Sequence, residues 1–317
     1  MPYDESVPPT PRRRPLLATA AFTALCLSAA GCGAGGDDGA AQARPVQGGS
    51  ATSAATPSDP ASTNDAAPER TSASPAASAT PSKPSKSAEV RASGPLAGKT
   101  VVLDPGHNPD NRLHPREINR QVDIGTTHKE CDTTGTSTDA GYAEAEFTLD
   151  VAHRARKILQ AQGAKVVLTH DGDRAYGPCV DERARIGNKA KADAVVSVHA
   201  DGSAVGNRGF HVILPARVQG GGADTSKIVE PSRDLGTRIA GLFVRDTGSA
   251  PSNYVGGHTG LDVRKDLGGL NLSTVPKVFI ECGNMRDPKD AALLTSAGWR
   301  QKAAQGIADG ISSYLNG

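Results

Sequence analysis

Ala194-Val195-Val196-Ser197-Val198-His199-Ala200-Asp201 is the stretch that decides the fold. Its opening run is almost unbroken in apolar character and too short for a helix. That is the texture of a strand buried on both faces, and such strands belong to parallel sheets covered by helices. The run ends on residues that can do chemistry, His199 and Asp201.

Outward from this strand the same design recurs. Thr100-Val101-Val102-Leu103-Asp104 is a strand, and Pro105-Gly106-His107 a sharp turn after it. Lys165–Thr169, Gly209–Leu214 and Lys277–Ile280 are further strands, the last followed by Glu281-Cys282-Gly283-Asn284. Between them lie helical patterns. Glu144 to Gln162 places Phe147, Val151, Ala155, Ile158 and Leu159 on one face, with Gly163 as its stop. Asp181–Ala192, Leu235–Thr247 and one or two helices within Asp287–Leu315 complete the set. Residues 108–142, rich in Asn, Asp, Thr and Gly, are expected to form a long, partly irregular excursion. The alternation predicts an α/β fold: a single domain, residues 95–317, with a twisted, largely parallel sheet flanked by helices on both faces.

Ligand sites in open α/β sheets gather at the carboxyl ends of the strands. His107, His199 and Glu281 should therefore converge, and Glu144 reaches the same edge from the first turn of its helix. Two histidines and a glutamate match a catalytic zinc shell with one position left open. Each residue also has a plainer reading: a turn histidine, a favourable charge at a helix N-terminus, a solvated strand end. The chain has eight histidines and neither an H-E-x-x-H motif nor a close Cys/His cluster, so spacing alone leaves both readings open. Glu146 competes with Glu144, from about 200° around the helix. Asp104 is placed either to orient His107 from behind or to cap the turn.

The first third of the chain has a different character. Positions 1–31 read as a signal peptide, with Arg12, Arg13 and Arg14 ahead of an apolar core from Leu16 to Leu27. Ser28-Ala29-Ala30-Gly31 before Cys32 forms a lipoprotein-type box, with Ala29 where Leu is commoner; an ordinary secretory signal is the alternative. Residues 32–94 are dominated by Ala, Ser, Pro, Thr and Gly without an aromatic residue, the composition of a disordered tether. Such a chain spans roughly 40–50 Å and lifts a domain off a membrane surface. Cys131 and Cys179, both in polar loop-like sequence, are a disulfide candidate in an exported protein, while Cys282 follows a strand and reads as a buried thiol. The formal net charge of +1, with no basic stripe, points away from a nucleic-acid partner.

Four blocks resemble the signatures of the zinc-dependent N-acetylmuramoyl-L-alanine amidases, in order and spacing. They are Val102-Leu103-Asp104-Pro105-Gly106-His107, Glu144-Ala145-Glu146-Phe147-Thr148-Leu149, Ser197-Val198-His199-Ala200-Asp201 and Val278-Phe279-Ile280-Glu281-Cys282-Gly283-Asn284. Arg183-Ala184-Arg185-Ile186-Gly187-Asn188 is similar to the family's R-x-x-x-A-N segment, with Gly187 for Ala. The long loop with its cysteine resembles the actinobacterial branch. The resemblance implies one Zn2+ held by His107, Glu144 and His199, chooses Glu144 over Glu146, and makes Glu281 the catalytic carboxylate. It implies peptidoglycan or a muropeptide as substrate, cut between the lactyl group of muramic acid and L-alanine. The expectation is a monomer that touches the membrane only through the N-terminal lipid. A non-catalytic wall-binding lipoprotein and a zinc peptidase acting within the stem peptide are the competing readings.

Overall fold

In the computed structural model, which describes residues 93–317, the chain runs β1 (Thr100–Pro105), α1 (Pro115–Ile118), β2 (Gln121–Asp123), β3 (His128–Glu130), α2 (Glu144–Ala161), β4 (Lys165–Leu168), α3 (Val180–Ala190), β5 (Ala194–Asp201), β6 (His211–Pro215), β7 (Gln219–Gly220), β8 (Ala223–Asp224), α4 (Val229–Thr247), β9 (Leu261–Arg264), α5 (Gly268–Asn271), β10 (Lys277–Asn284), α6 (Pro288–Leu294) and α7 (Ala297–Leu315). The expected signal segment, Cys32 and nearly all of the tether lie outside the described residues. No helix among the described residues is long and apolar enough to cross a membrane.

The central sheet has the order β4-β1-β5-β10-β6-β9. β4, β1, β5 and β10 are mutually parallel, because α2 and α3 each carry the chain back to the start of the next strand. β6 follows β5 without a crossover helix and lies antiparallel to β10, with β9 parallel beyond it. The carboxyl ends of β1, β5 and β10 therefore share one edge.

Side-chain alternation divides this sheet into two chemically different faces. On one face Val101, Leu103, Val196, Val198, Val278 and Ile280 pack against α2, α4 and α7, where Phe147, Leu159, Ile239, Phe243 and Ile307 complete the main core. On the other face Val102 and Val195 pack with Ala192 in a small apolar cluster. Further along that second face come Asp104, Ser197 and His199, then Lys277, Phe279 and Glu281. The apolar face holds the helices, and the second face becomes polar toward the carboxyl edge.

Residues 108–142 form a long, partly irregular excursion. They contain α1 and the β2–β3 hairpin, anchored by Val122 and Ile124 against Cys131 and Cys179. Those two cysteines form a disulfide that ties the end of the hairpin to the start of α3, and Cys282 is free and buried. α4 begins at Val229 rather than Leu235, with Pro231 in its first turn, where a missing N–H costs nothing. β9 and α5 carry too short a pattern to be seen in sequence.

Candidate metal centre

Three elements deliver the candidate residues to the shared edge. At the end of β1 the Gly106 N–H donates to the Val198 carbonyl at 2.9 Å, holding the turn against β5. The next residue, His107, takes φ 61°, in the left-handed region that non-glycine residues rarely occupy. Such backbone is concentrated at functional sites. β5 places His199 in parallel register with Glu281 of β10, so both side chains stand on the same face. Glu144 is the first residue of α2, and the Thr148 hydroxyl one turn on donates to the Gly106 carbonyl at 2.7 Å, pinning helix to turn.

The three side chains meet. Glu144 Oε2 lies 3.2 Å from His107 Nε2, and Glu144 Oε1 lies 3.0 Å from His199 Nδ1. The two imidazoles stand nearly perpendicular, centroids 5.1 Å apart. Backbone N–H groups of Thr136 and Ala200 donate to the same carboxylate at 2.9 and 3.2 Å and fix its plane. One nitrogen or oxygen from each of the three residues lies within 4.8 Å of the others. Gly135, at φ 73°, lets the loop lie over the cluster: a β-carbon there would come within 2.8 Å of both His107 and Glu144. The three border a cleft of about 260 Å³ with Asp201, Arg264, Phe279 and Glu281. Glu146 is exposed and lies outside the cluster.

The electrostatics suit a bound cation. Burial opposes ionisation of Glu144, yet the two histidines outweigh it and hold its carboxyl well below the usual range. Burial likewise disfavours charging His107, but Glu144 and Asp132 outweigh it and raise the imidazole well above its ordinary value. Glu281 behaves oppositely: burial, then the charges of Glu144 and Asp201, push its carboxyl well up. Its Oε2 is buried with no hydrogen-bond partner. Two imidazoles and a carboxylate are the donor set of an open catalytic zinc site, and these residues fit one.

Asp104 behaves neither as a cap nor as a contact of His107. It is buried and bonds to Thr169, Arg183, Ser197 and Lys277. The carboxylate beside the outer nitrogen of His107 is Asp132, with Oδ1 3.4 Å from Nδ1. Sequence reasoning passed over Asp132; its place directly after a cross-linked cysteine was the available signal. The remaining histidines stand apart from the cluster: His153 pairs with Asp171, and His170 bonds to the Pro105 carbonyl.

A His/Glu/His cluster beside an uncommitted glutamate, at the carboxyl edge of an α/β sheet, is the arrangement of a metal-assisted hydrolase. Residues 101–313 match the N-acetylmuramoyl-L-alanine amidase family model, and the chain belongs to that family. It is similar to the N-acetylmuramoyl-L-alanine amidase Rv3717 of Mycobacterium tuberculosis, 40% identical over 225 residues that make up 69% of this chain and 88% of that one. Among solved structures it resembles the N-acetylmuramyl-L-alanine amidase Ami1 of Mycobacterium smegmatis, with TM-score 0.63 and 40% identity over 70% of this chain and 99% of the other. The apo form of Ami1 from Mycobacterium abscessus is similar to the same degree, with TM-score 0.63 and 40% identity over 69% of this chain and 100% of the other.

Proposed function

We propose that this chain is a zinc-dependent peptidoglycan amidase of the cell envelope, hydrolysing the amide between the muramic acid lactyl group and L-alanine. The observation that carries the reading is the unpartnered Oε2 of Glu281 beside the His107/Glu144/His199 cluster. Glu144 is already engaged by two imidazoles and two backbone amides, whereas Glu281 has an oxygen free for proton transfer. Zinc held by His107, Glu144 and His199 would supply Lewis acidity toward the scissile carbonyl and a water acidic enough to attack near neutral pH.

Glu281 accepts the proton of the attacking water and returns it to the departing amine of L-alanine. A carboxyl raised above its ordinary value holds a returned proton better than an ordinary one. His107, Glu144 and His199 orient and hold; Glu281 moves the proton. At the N-terminus, Cys32 is the lipidated first residue of the exported protein, and residues 32–94 are its tether to the membrane surface.

Digestion of purified peptidoglycan, followed by mass analysis of the fragments, tests the reading. Intact glycan strands and free stems beginning in L-alanine, lost with chelator and restored by zinc, are expected. Cleavage between stem residues would make the chain a peptidase, and absence of cleavage with zinc present would make it a binding protein.

A further inference from the structure

Glu281 stands in the middle of a cross-strand row. β10 pairs it with His199 of β5 on one side and with His211 of β6 on the other. Phe210, Val212, Leu214, Ile280 and Cys282 turn into the main core. By alternation His211 and Glu281 both rise from the opposite face, the one that carries the metal cluster. Directly opposite residues of an antiparallel pair hold their β-carbons roughly 4.5–5.5 Å apart, within reach of an imidazole and a carboxyl.

Both side chains end on an orphan atom. Among the described residues five buried side-chain polar atoms lack a hydrogen-bond partner, and two of them are Glu281 Oε2 and His211 Nδ1. Buried polar atoms without partners are rare in folded proteins, so a pair of them on register partners calls for an account. The other flank of Glu281 offers nothing. The His199 nitrogens face Glu144 and Ser197, and Phe279 stacks on its ring.

His211 is held where it can serve. It is 5% exposed, and Tyr254 stands perpendicular to it with ring centroids 5.9 Å apart. The Tyr254 hydroxyl donates in turn to Asp201 Oδ2 at 2.5 Å, which anchors that ring. Burial lowers the His211 imidazole from its ordinary value and keeps it neutral, with one N–H to give.

We propose that His211 is the positioning residue of Glu281: its Nδ1–H donates to Glu281 Oε2, joined by rotation of the Glu281 side chain, and aims the carboxylate at the metal cluster. This role rests on the proposed amidase chemistry and adds the group that directs its proton carrier. An ionised carboxylate has about four acceptor sites, so one bond from His211 leaves room for the attacking water. His211 itself touches neither water nor substrate; it acts through Glu281.

The test is steady-state hydrolysis of a soluble muropeptide by zinc-loaded full-length protein carrying one of three substitutions at His211. His211→Leu should lower kcat on the order of 10–100-fold, the worth of one hydrogen bond to a charged group, with KM and zinc content unchanged. His211→Asn, whose amide nitrogen falls near the place of Nδ1, should recover most of that loss. His211→Gln, whose amide falls nearer the place of Nε2, should not. A histidine that only fills space would not separate the two amides. A His211→Leu kcat within about twofold of the parent, or equal kcat in the Asn and Gln variants, overturns the inference while leaving the amidase reading intact. The two amides decide it should the leucine variant not fold. A parent protein that cleaves nothing with zinc present overturns both.

Discussion

Gly106 lies against the ring of His199: a β-carbon at position 106 would come within 2.7 Å of Cε1, Nδ1 and Nε2. The ring cannot simply swing away, because Phe279 stacks on it at 5.1 Å with planes 17° apart. The glycine of the Asp-Pro-Gly-His turn is thus a packing requirement of the candidate ligand.

Gly106→Ala should therefore displace His199 while leaving the sheet in place. Misplacement of a reacting group by about 1 Å costs on the order of 10²-fold in rate. Circular dichroism should match the parent, while turnover and zinc content both fall. An alanine variant with full turnover and full zinc would show that the ring has room to move.

Burial of its Oε2 and the charges of Glu144 and Asp201 push the Glu281 carboxyl well above its ordinary value. A carboxyl with a raised folded-state pKa stabilises the fold where it is protonated. That stability is complete below the unfolded value of about 4.3 and is lost as pH rises through the folded value. In the metal-free protein, Glu281→Gln should then melt higher than the parent at neutral pH, with the gap closing toward about pH 4. The same variant should bind zinc and lose roughly 10²- to 10⁴-fold in turnover. Thermal melts across pH, alongside muropeptide release, check both halves; equal melting at every pH would refute the first.

Much of this was legible before the fold. The apolar runs at Val101–Leu103, Val195–Val198 and Val278–Ile280 declare buried strands because parallel strands covered on both faces leave no room for polar alternation. The meeting of His107, His199 and Glu281 after them follows from strand polarity, whereas Glu144 comes from the first turn of α2. What sequence pattern hides is Lys277, which starts a strand as though it were an edge charge yet is 1% exposed. Its ammonium finds Asp104 across a residue separation of 173, and no local pattern encodes so distant a partner. Asp132 is hidden for the same reason, since it meets His107 only in the folded chain, from a loop next to the Cys131–Cys179 disulfide. The edge strand β9, half exposed and four residues long, carries too little periodicity to register.

The Cys131–Cys179 disulfide closes a separation of 48 residues. It is buried against Val122 and Ile124, the apolar anchor of the hairpin. Replacing both cysteines with serine should cost roughly 4 kcal/mol by loss of chain constraint. For a domain of this size that is on the order of 10 °C in Tm. The loss should extend to metal affinity, because Asp132 follows Cys131 directly and the Pro178 carbonyl, beside Cys179, accepts from Arg183 at 2.8 Å. Calorimetry of the double variant with and without zinc measures both, and a variant with unchanged Tm would remove the disulfide from the stability account.

Asp104 and Lys277 make the most demanding case, since both charges are out of water and 3.0 Å apart. Burial raises the Asp104 carboxyl, but Lys277 and Arg183 outweigh it and hold it far below its ordinary value. A depressed folded-state pKa gives stability that is complete above the unfolded value of about 3.9 and drains away as pH falls below it. The parent should therefore lose stability steeply below about pH 4, and Asp104→Asn should flatten that slope without abolishing it, because Asp132 is depressed in the same way. Lys277→Met should cost about 3–5 kcal/mol at neutral pH by stranding a buried carboxylate. Adding Asp104→Asn removes the stranded charge, so the double variant should be more stable than Lys277→Met alone, and the double-mutant cycle should show coupling of at least about 1 kcal/mol. Additive losses would mean that the two charges do not stabilise each other. Urea melts of the four proteins between pH 3 and 8 decide it.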